Sequence, residues 1–363
     1  MVTRKSLRPV SRRLVLGGAV GTSASMLSSQ PAQAFTRDSK VAARQRLFGA
    51  KHVDKRTGKV NPSKIILSWF GVSGFAMAFR GTVVLLDAWV PRGLTSGYVP
   101  TTPRELAQLE PEAIFIGHGH FDHAGDAAQI AAASGAVVVG TPQQCEQIRG
   151  QAMPGQQIRT RPVGDEADEP GTRYDVKVAG IDISVMAHVH SAPKLPDLED
   201  PSRPLFTVPG LCSLVKYHPT LKDLHHLGSH LTDSEGGTLL YQFRGGSTAI
   251  TWHDSSGPIP ESAPGLEEDL RGLPATTVQV GAVQGFNQYT NGLRDPRLYM
   301  AALRPRVFVP THHDNWMPLI TTYGSAYERP LATEIARLPP ASRPDLRFLR
   351  DPQDYLNPAR LTF

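Results

Sequence analysis

His118-Gly119-His120-Phe121-Asp122-His123 packs three imidazoles and a carboxylate into six residues. The apolar run before it, Ala113-Ile114-Phe115-Ile116-Gly117, reads as a buried strand. Asp126 to Ala133 after it reads as a helix closed by Gly135. The six residues therefore fall at the carboxyl end of a strand, where open α/β sheets place their ligand sites. Imidazole nitrogen and carboxylate oxygen are the donors that Zn²⁺ and related ions prefer. Two such ions held a few ångströms apart can share an ionised water. A polar loop whose histidines only cap the next helix would explain one His and the Asp, but not four ligand-type residues in six. The stretch reads as a metal site.

The chain before residue 35 reads as a leader. Ser11-Arg12-Arg13-Leu14-Val15-Leu16 is a twin-arginine pattern, Gly17 to Leu27 is a mildly apolar run of small residues, and Ala32-Gln33-Ala34 offers an A-x-A cleavage site. A Tat-type export signal over 1–34 is expected, with the mature protein periplasmic or extracellular. The apolar run is too short for a permanent membrane anchor. The leader also explains the net charge of +5: it holds Arg4, Lys5, Arg8, Arg12 and Arg13 and no acid. Without those five, 33 basic residues balance 33 acidic ones, so charge argues for neither a nucleic-acid nor a membrane partner. A small-molecule substrate is expected instead. Cys145 and Cys212 are either a disulfide or two buried thiols, and the mature chain has enough apolar content to fold without the bond.

Residues 35–64 read as an N-terminal extension with a helix over Lys40 to Phe48, and 65–363 as one catalytic domain. Strands are expected at Ile65–Phe70, Gly74–Phe79 and Thr82–Leu86, the last running into Asp87, then at Ala136–Val139. Helices are expected at Pro103–Glu110 and Pro142–Ile148. Alternating strand and helix means α/β. Residues 150–173 read as a connection, and Val176 to Val189 as a hairpin turning at Gly180. Residues 193–237 form a loop too long for a plain connector, an insertion or lid. Its His218, His225, His226 and His230 read as solvated, and its Arg203, Lys216 and Lys222 as basic groups that could face an anionic substrate. Trp69, Trp252, Tyr217 and Trp316 read as core aromatics.

The second half echoes the first. Phe243-Arg244-Gly245 repeats Phe79-Arg80-Gly81, and each hairpin runs into an aspartate, Asp254 or Asp87. Arg306 to His312 repeats Ala113 to His118, a strand running into histidine. Two matches in one order point to an internal duplication that brings the strand ends to a common edge. Further ligands are sought there. His188 and His190 share a strand parity, so one is the ligand, His190 by its place near the strand end, with His188 as a neighbour or the true ligand. Asp254 and His312 end later strands, with His253 and His313 beside them and His313 directed toward a substrate cleft.

The motif His-x-His-x-Asp-His, with the weaker motifs from Ile65 to Trp316, resembles the metallo-β-lactamase-fold hydrolases, nearest to their ascorbate-phosphate-lactonase-like or phosphodiesterase-like branch. The resemblance implies a four-layer αββα sandwich with an internal two-fold pseudo-repeat. It implies two Zn²⁺, with Mn²⁺ or Fe as alternatives: His118, His120 and His190 on one ion, Asp122, His123 and His312 on the other, and Asp254 between them. Asp87 would steady the metal loop from behind. His253 departs from the glycine common before the bridging aspartate. The implied activity is a dinuclear hydrolase whose bridging hydroxide cleaves a lactone or phosphodiester, with Asp122 orienting the nucleophile. β-Lactam hydrolysis, a di-iron redox role and metal binding without turnover are the alternatives. No G-x-S-x-G, P-loop or dinucleotide fingerprint offers another chemistry.

Overall fold

A computed structural model describes residues 35–92, 98–191, 220–283, 293–317 and 323–363, with Val215 and Thr321. Residues 1–34, Arg203, Cys212, Lys216, Tyr217 and His218 lie outside the described residues, as does the side chain of Lys222.

Two mixed sheets form the centre. The first runs in the order β1 (Ile65–Gly71), β2 (Gly74–Phe79), β3 (Thr82–Leu86), β4 (Ala113–Phe115), β5 (Val137–Gly140) and β6 (Arg159–Pro162). The second contains β7 (Arg173–Val178), β8 (Ile181–Ala187), β9 (Leu239–Gly245), β10 (Thr248–His253), β11 (Val278–Ala282), β12 (Val307–Thr311) and β13 (Asp345–Leu346), also in sequential spatial order. Strand periodicity explains the layering. Ile65, Leu67 and Trp69 face the space between the sheets, while Ile66 and Phe70 face outward under helices. Val84 and Leu86 against Val83 and Leu85 repeat the alternation, with both faces apolar, the signature of strands covered on two sides. Helices α1 (Arg37–Phe48), α2 (Pro103–Gln108) and α4 (Ala127–Ser134) cover the first sheet; between α2 and α4 lies the single turn α3 (Phe121–Ala124). Helices at Leu266–Arg271, Arg294–Leu303 and Ser325–Ala336 cover the second. The result is a four-layer αββα sandwich.

Local chemistry sets the helix ends. Thr102 accepts from the backbone N–H of Glu105 and Pro103 opens α2. Gly135 closes α4 in the left-handed region at φ 75°. In α1 the buried guanidinium of Arg44 donates to the carbonyls of Leu109, Gly58 and Glu110, tying the N-terminal segment to the loop after α2.

The duplication is visible in strand direction. In the first sheet β1, β2 and β3 are antiparallel neighbours, after which β3 to β6 are parallel. The run β8 to β13 repeats this pattern strand for strand. Asp87 and Asp254 follow equivalent strands, β3 and β10. The other equivalences differ from those read in the sequence. The tight turn after Phe79 is Arg80-Gly81, whereas the second hairpin turns at Gly246-Ser247, so the two Phe-Arg-Gly triplets are offset by two residues. Likewise the counterpart of β4 is β11, and β12 corresponds to β5; the match of Arg306–His312 to Ala113–His118 is displaced by one strand. Both errors have one cause, since apolar runs ending in a polar residue resemble each other whatever their order in the sheet.

Two segments depart from the expected elements. Arg159–Pro162 within the expected connection is an edge strand, its polar residues suited to solvent. The segment Leu221–His230, within the expected loop, is a ten-residue helix capped by Thr220. Its His226 ring is tilted against that of His230, centroids 4.5 Å apart, and its Nε2 sits 3.4 Å from Asp126, so these two histidines are packed, not solvated. Cys145, on the helix Pro142–Gly150, is a buried free thiol whose pKa burial pushes up to about 11. Among the described residues no helix is long and apolar enough to cross a membrane.

Trp69, Trp252 and Trp316 are fully buried. Phe115 sits at the middle of the sandwich, edge-on to Tyr241 at 5.3 Å and Phe243 at 4.9 Å. Phe115→Ala removes both edge-to-face contacts and opens a void between the sheets. Urea unfolding should show stability lowered by about 3–5 kcal/mol; a loss under 1 kcal/mol would contradict this account of the core.

Candidate metal centre

Five strand ends converge at one edge of the sandwich. Asp87 follows β3, the His118–His123 stretch follows β4, His188 and His190 follow β8, Asp254 follows β10 and His312 follows β12. The glycines of the motif are dictated by what passes them. A Cβ on Gly117 would lie 2.1 Å from Cγ of Asp254, and one on Gly119 would lie 2.3 Å from the carbonyl oxygen of Ser234. The backbone of the loop is held from behind, where Gly117 N–H donates to Asp87 Oδ1 at 3.1 Å, and from the front, where Gly119 N–H donates to the Glu235 carbonyl at 2.6 Å. Phe121 to Ala124 then turn once as α3, with His120 at its N-cap.

The side chains assemble as three overlapping triads with ligand-type atoms within 4.8 Å of each other: His118, His120 and His190; His118, His123 and Asp254; Asp122, His123 and His312. Nε2 of His118 and Nε2 of His190 are 3.2 Å apart. Nε2 of His123 and Nε2 of His312 are also 3.2 Å apart, and each lies 3.4 Å from Asp122 Oδ2. Asp254 Oδ2 joins the two ends, 2.7 Å from His118 Nδ1 and 3.2 Å from His123 Nδ1. All seven side chains are buried or half-buried. Seven separate positions thus form one continuous cluster.

Electrostatics fits cation binding. Burial, reinforced by the neighbouring His123, drives the His118 pKa well below the ordinary imidazole value, and burial lowers His120 and His190 too. Neutral rings present lone pairs. Burial opposes charge on Asp122 and Asp254 as well, but the surrounding imidazoles outweigh it and hold both carboxyls well below their usual range. At His123 burial is outweighed by Asp122, Asp87 and Asp254, which hold that ring well above the usual value. Oδ1 of Asp254 is buried with no hydrogen-bond partner. Paired acceptor nitrogens facing each other and an orphaned carboxylate oxygen are what a cation-binding cavity presents, so the donor set fits divalent metal ions.

Other histidines near the motifs go elsewhere. His188 and His190 go to different places: the pairing of β8 with β9 ends at Ala187, and of the two only His190 joins a triad among the described residues. His188 Nδ1 lies 3.0 Å from the Tyr299 hydroxyl, outside the cluster, and burial lowers its pKa to about 3. His253 is buried under the site, accepting at Nε2 from the Gln279 amide at 2.8 Å and stacked on Tyr299. His313 does not face a cleft: its Nε2 donates to the Leu349 carbonyl at 2.7 Å and its ring stacks on Trp69. Asp87 belongs to none of the three triads, but its Oδ2 lies 2.7 Å from His123 Nδ1. Ser73 was not singled out by the sequence, yet its hydroxyl sits 2.8 Å from His123 Nδ1 and donates to Asp87. A serine in a Gly-Val-Ser-Gly turn carries no chemical signature in sequence. Trp89, Phe121 and Trp316 meet edge-to-face or tilted beside the His312 end of the cluster and form an apolar wall.

Residues 93–241 match the family model described as the metallo-beta-lactamase superfamily. A UPF0173 metal-dependent hydrolase of Pyrobaculum neutrophilum is 37% identical over 98 residues, 27% of this chain and 42% of that protein. One of Pyrobaculum arsenaticum is 25% identical over 255 residues, 70% of this chain and 86% of that protein. The chain thus spans less than half the length of the first of these relatives. Igni18, described as a metallo hydrolase of Ignicoccus hospitalis, superposes with a TM-score of 0.50 at 16% identity, covering 79% of this chain and 95% of that one. The family match ends before Asp254 and His312, which the fold itself carries to the same edge. In its sandwich, its repeated strand order and the His-x-His-x-Asp-His loop that this match contains, the chain is similar to the metallo-beta-lactamase superfamily over residues 93–241.

Proposed function

We propose that this chain is a metal-dependent hydrolase that cleaves an ester-type bond, a lactone or a phosphodiester, in a small-molecule substrate. The observation that carries the reading is the unbroken cluster of seven converging imidazoles and carboxylates. His118, His120 and His190 would hold one ion, Asp122, His123 and His312 a second, and Asp254 would lie between them. When bound, two Zn²⁺, or Mn²⁺ or Fe in their place, supply a water acidified to near-neutral pKa and a Lewis acid for the scissile group. The chain's own residues set the rest. Asp122, buried and ionised, orients the attacking water and carries its proton toward the leaving group. Trp89, Phe121 and Trp316 exclude bulk solvent from one side. The glycines at 117 and 119 fix the loop to which four of the seven side chains belong. We also propose that residues 1–34 direct Tat-type export, supported by the twin arginines and the A-x-A site.

The first test is metal content of the mature protein, paired with hydrolysis of an aryl phosphodiester, a homoserine lactone and a chromogenic cephalosporin. About two zinc ions per chain and chelator-sensitive turnover of an ester-type substrate are expected. Cephalosporin turnover alone would shift the bond to a β-lactam, and iron without hydrolysis would replace the reading with a redox one.

Gly117→Ala forces Asp254 away and should abolish tight binding of the second equivalent of zinc while circular dichroism stays unchanged. His190→Ala should weaken zinc binding beyond the roughly 10–100-fold that loss of a ligand's hydrogen-bonding partner costs, and His188→Ala by less. Equal effects of the two histidine variants would put His188 back among the ligands. For the leader, the exported protein should begin at Phe35 on N-terminal sequencing, and lysine at both Arg12 and Arg13 should hold it inside the cell.

A further inference from the structure

The turn joining β1 to β2 meets both histidines of the Asp122–His123–His312 triad, and it is built against backbone preference. Gly71 lies at φ 116° and Val72 at φ 50°. A β-branched residue in the left-handed region is an outlier that persists only where its surroundings over-determine it. Here they do. The Val72 carbonyl accepts from Trp69 Nε1 at 3.0 Å, from the Thr311 hydroxyl at 2.5 Å and from the backbone N–H of His312 at 2.9 Å. His312 itself stands at φ 60°. The Val72 N–H donates to the carboxyl of Asp314, 3.1 Å from each oxygen. Ser73, the next residue, places its hydroxyl on His123 Nδ1 and Asp87.

Asp314 is fully buried, accepts also from the Tyr355 hydroxyl, and makes no ion pair among the described residues. A buried carboxyl is costly unless its oxygens are satisfied, and this one is satisfied only by the turn and by Tyr355. Gly71 makes room beside the turn for Pro91, whose ring carbon would lie 2.5 Å from a Cβ there.

We propose that Asp314 is a positioning residue for the Asp122–His123–His312 half of the centre. It holds the strained turn from which Ser73 orients the ring of His123 and the Val72 carbonyl fixes the backbone of His312. Among the described residues no hydrogen bond joins this turn to His118, His120 or His190. The inference rests on the metal reading above and goes beyond it by assigning unequal dependence to the two ions.

The experiment is a competitive Zn²⁺ titration, with Co²⁺ absorption spectra, of the mature chain and of Asp314→Asn, Ser73→Ala and Asp351→Asn. The amide of Asp314→Asn keeps one acceptor but turns an N–H₂ toward the Val72 N–H or the Tyr355 hydroxyl. Wild type is expected to take two ions. Asp314→Asn should keep one at wild-type affinity and bind the other about tenfold to a hundredfold more weakly, with the cobalt spectrum changed only in that equivalent. Ser73→Ala should reproduce this selective loss. Asp351→Asn removes a neighbouring buried carboxyl that bonds Asn315 and Gly324 instead, and should leave both affinities unchanged. Two unchanged affinities in Asp314→Asn, equal weakening of both ions, or the same selective loss in Asp351→Asn would overturn the inference. If Asp314→Asn does not fold, Ser73→Ala decides alone, wild-type affinities there overturning it. A wild type that binds no metal would instead sink the metal reading itself.

Discussion

Nε2 of His123 and Nε2 of His312 face each other across 3.2 Å in a buried pocket, each 3.4 Å from one oxygen of Asp122. Dry, converging donors of this kind are unfavourable on their own, because burial removes the water that would satisfy them. The rest of the fold arranges for them to be tolerated. Two sheets bring their strand ends to one edge, glycines at 117 and 119 let backbones approach closely, and Asp87 and Asp254 supply the negative charge that the imidazoles balance.

The architecture explains why the cluster can be so compact. Each half contributes an antiparallel meander followed by parallel strands, and packing the halves face to face points both sets of strand ends the same way. Asp87 and Asp254 are equivalent in the repeat, yet they do different work. Asp254 reaches between the two groups of histidines, while Asp87 stays behind the loop on Gly117 and His123. Duplication thus supplied two like carboxylates, and the asymmetric loops gave them separate environments. Burial, reinforced by the charge on Asp254, raises the Asp87 pKa to about 6, whereas the imidazoles keep Asp254 ionised. That divergence is a property of surroundings, not of residue type.

Support behind the site is as specific as the site itself. His253 and His313 adjoin the motif residues in sequence but serve the interior, one under Gln279 and Tyr299, the other between Trp69 and Phe348. Burial lowers the pKa of each to about 4, so both remain neutral hydrogen-bonding groups at physiological pH. Ser73 and Asp314 come from segments with no motif, and they act through a turn whose backbone is strained. A second layer of this kind is what converts nearby ligand-type residues into oriented ones.

The sequence by itself determined the class of fold and the heart of the centre. A six-residue run with four ligand-type side chains between an apolar strand and a helix has few other physical uses, and near-continuous apolar runs at Ile65, Gly74 and Thr82 mark strands covered on both faces. These signals are local, and local patterning survives in a linear string. Tertiary structure decided the remainder. Whether His188 or His190 turns inward depended on where the β8–β9 ladder stops, since side-chain alternation lapses once pairing ends. The equivalence of β4 with β11 rather than β12 depended on spatial strand order, because a short run such as Val278-Gln279-Val280 has too little pattern to announce itself. The joining of Asp314 to Val72 spans 242 positions along the chain. No periodicity encodes a contact of that range; only the packing of the two sheets brings it about.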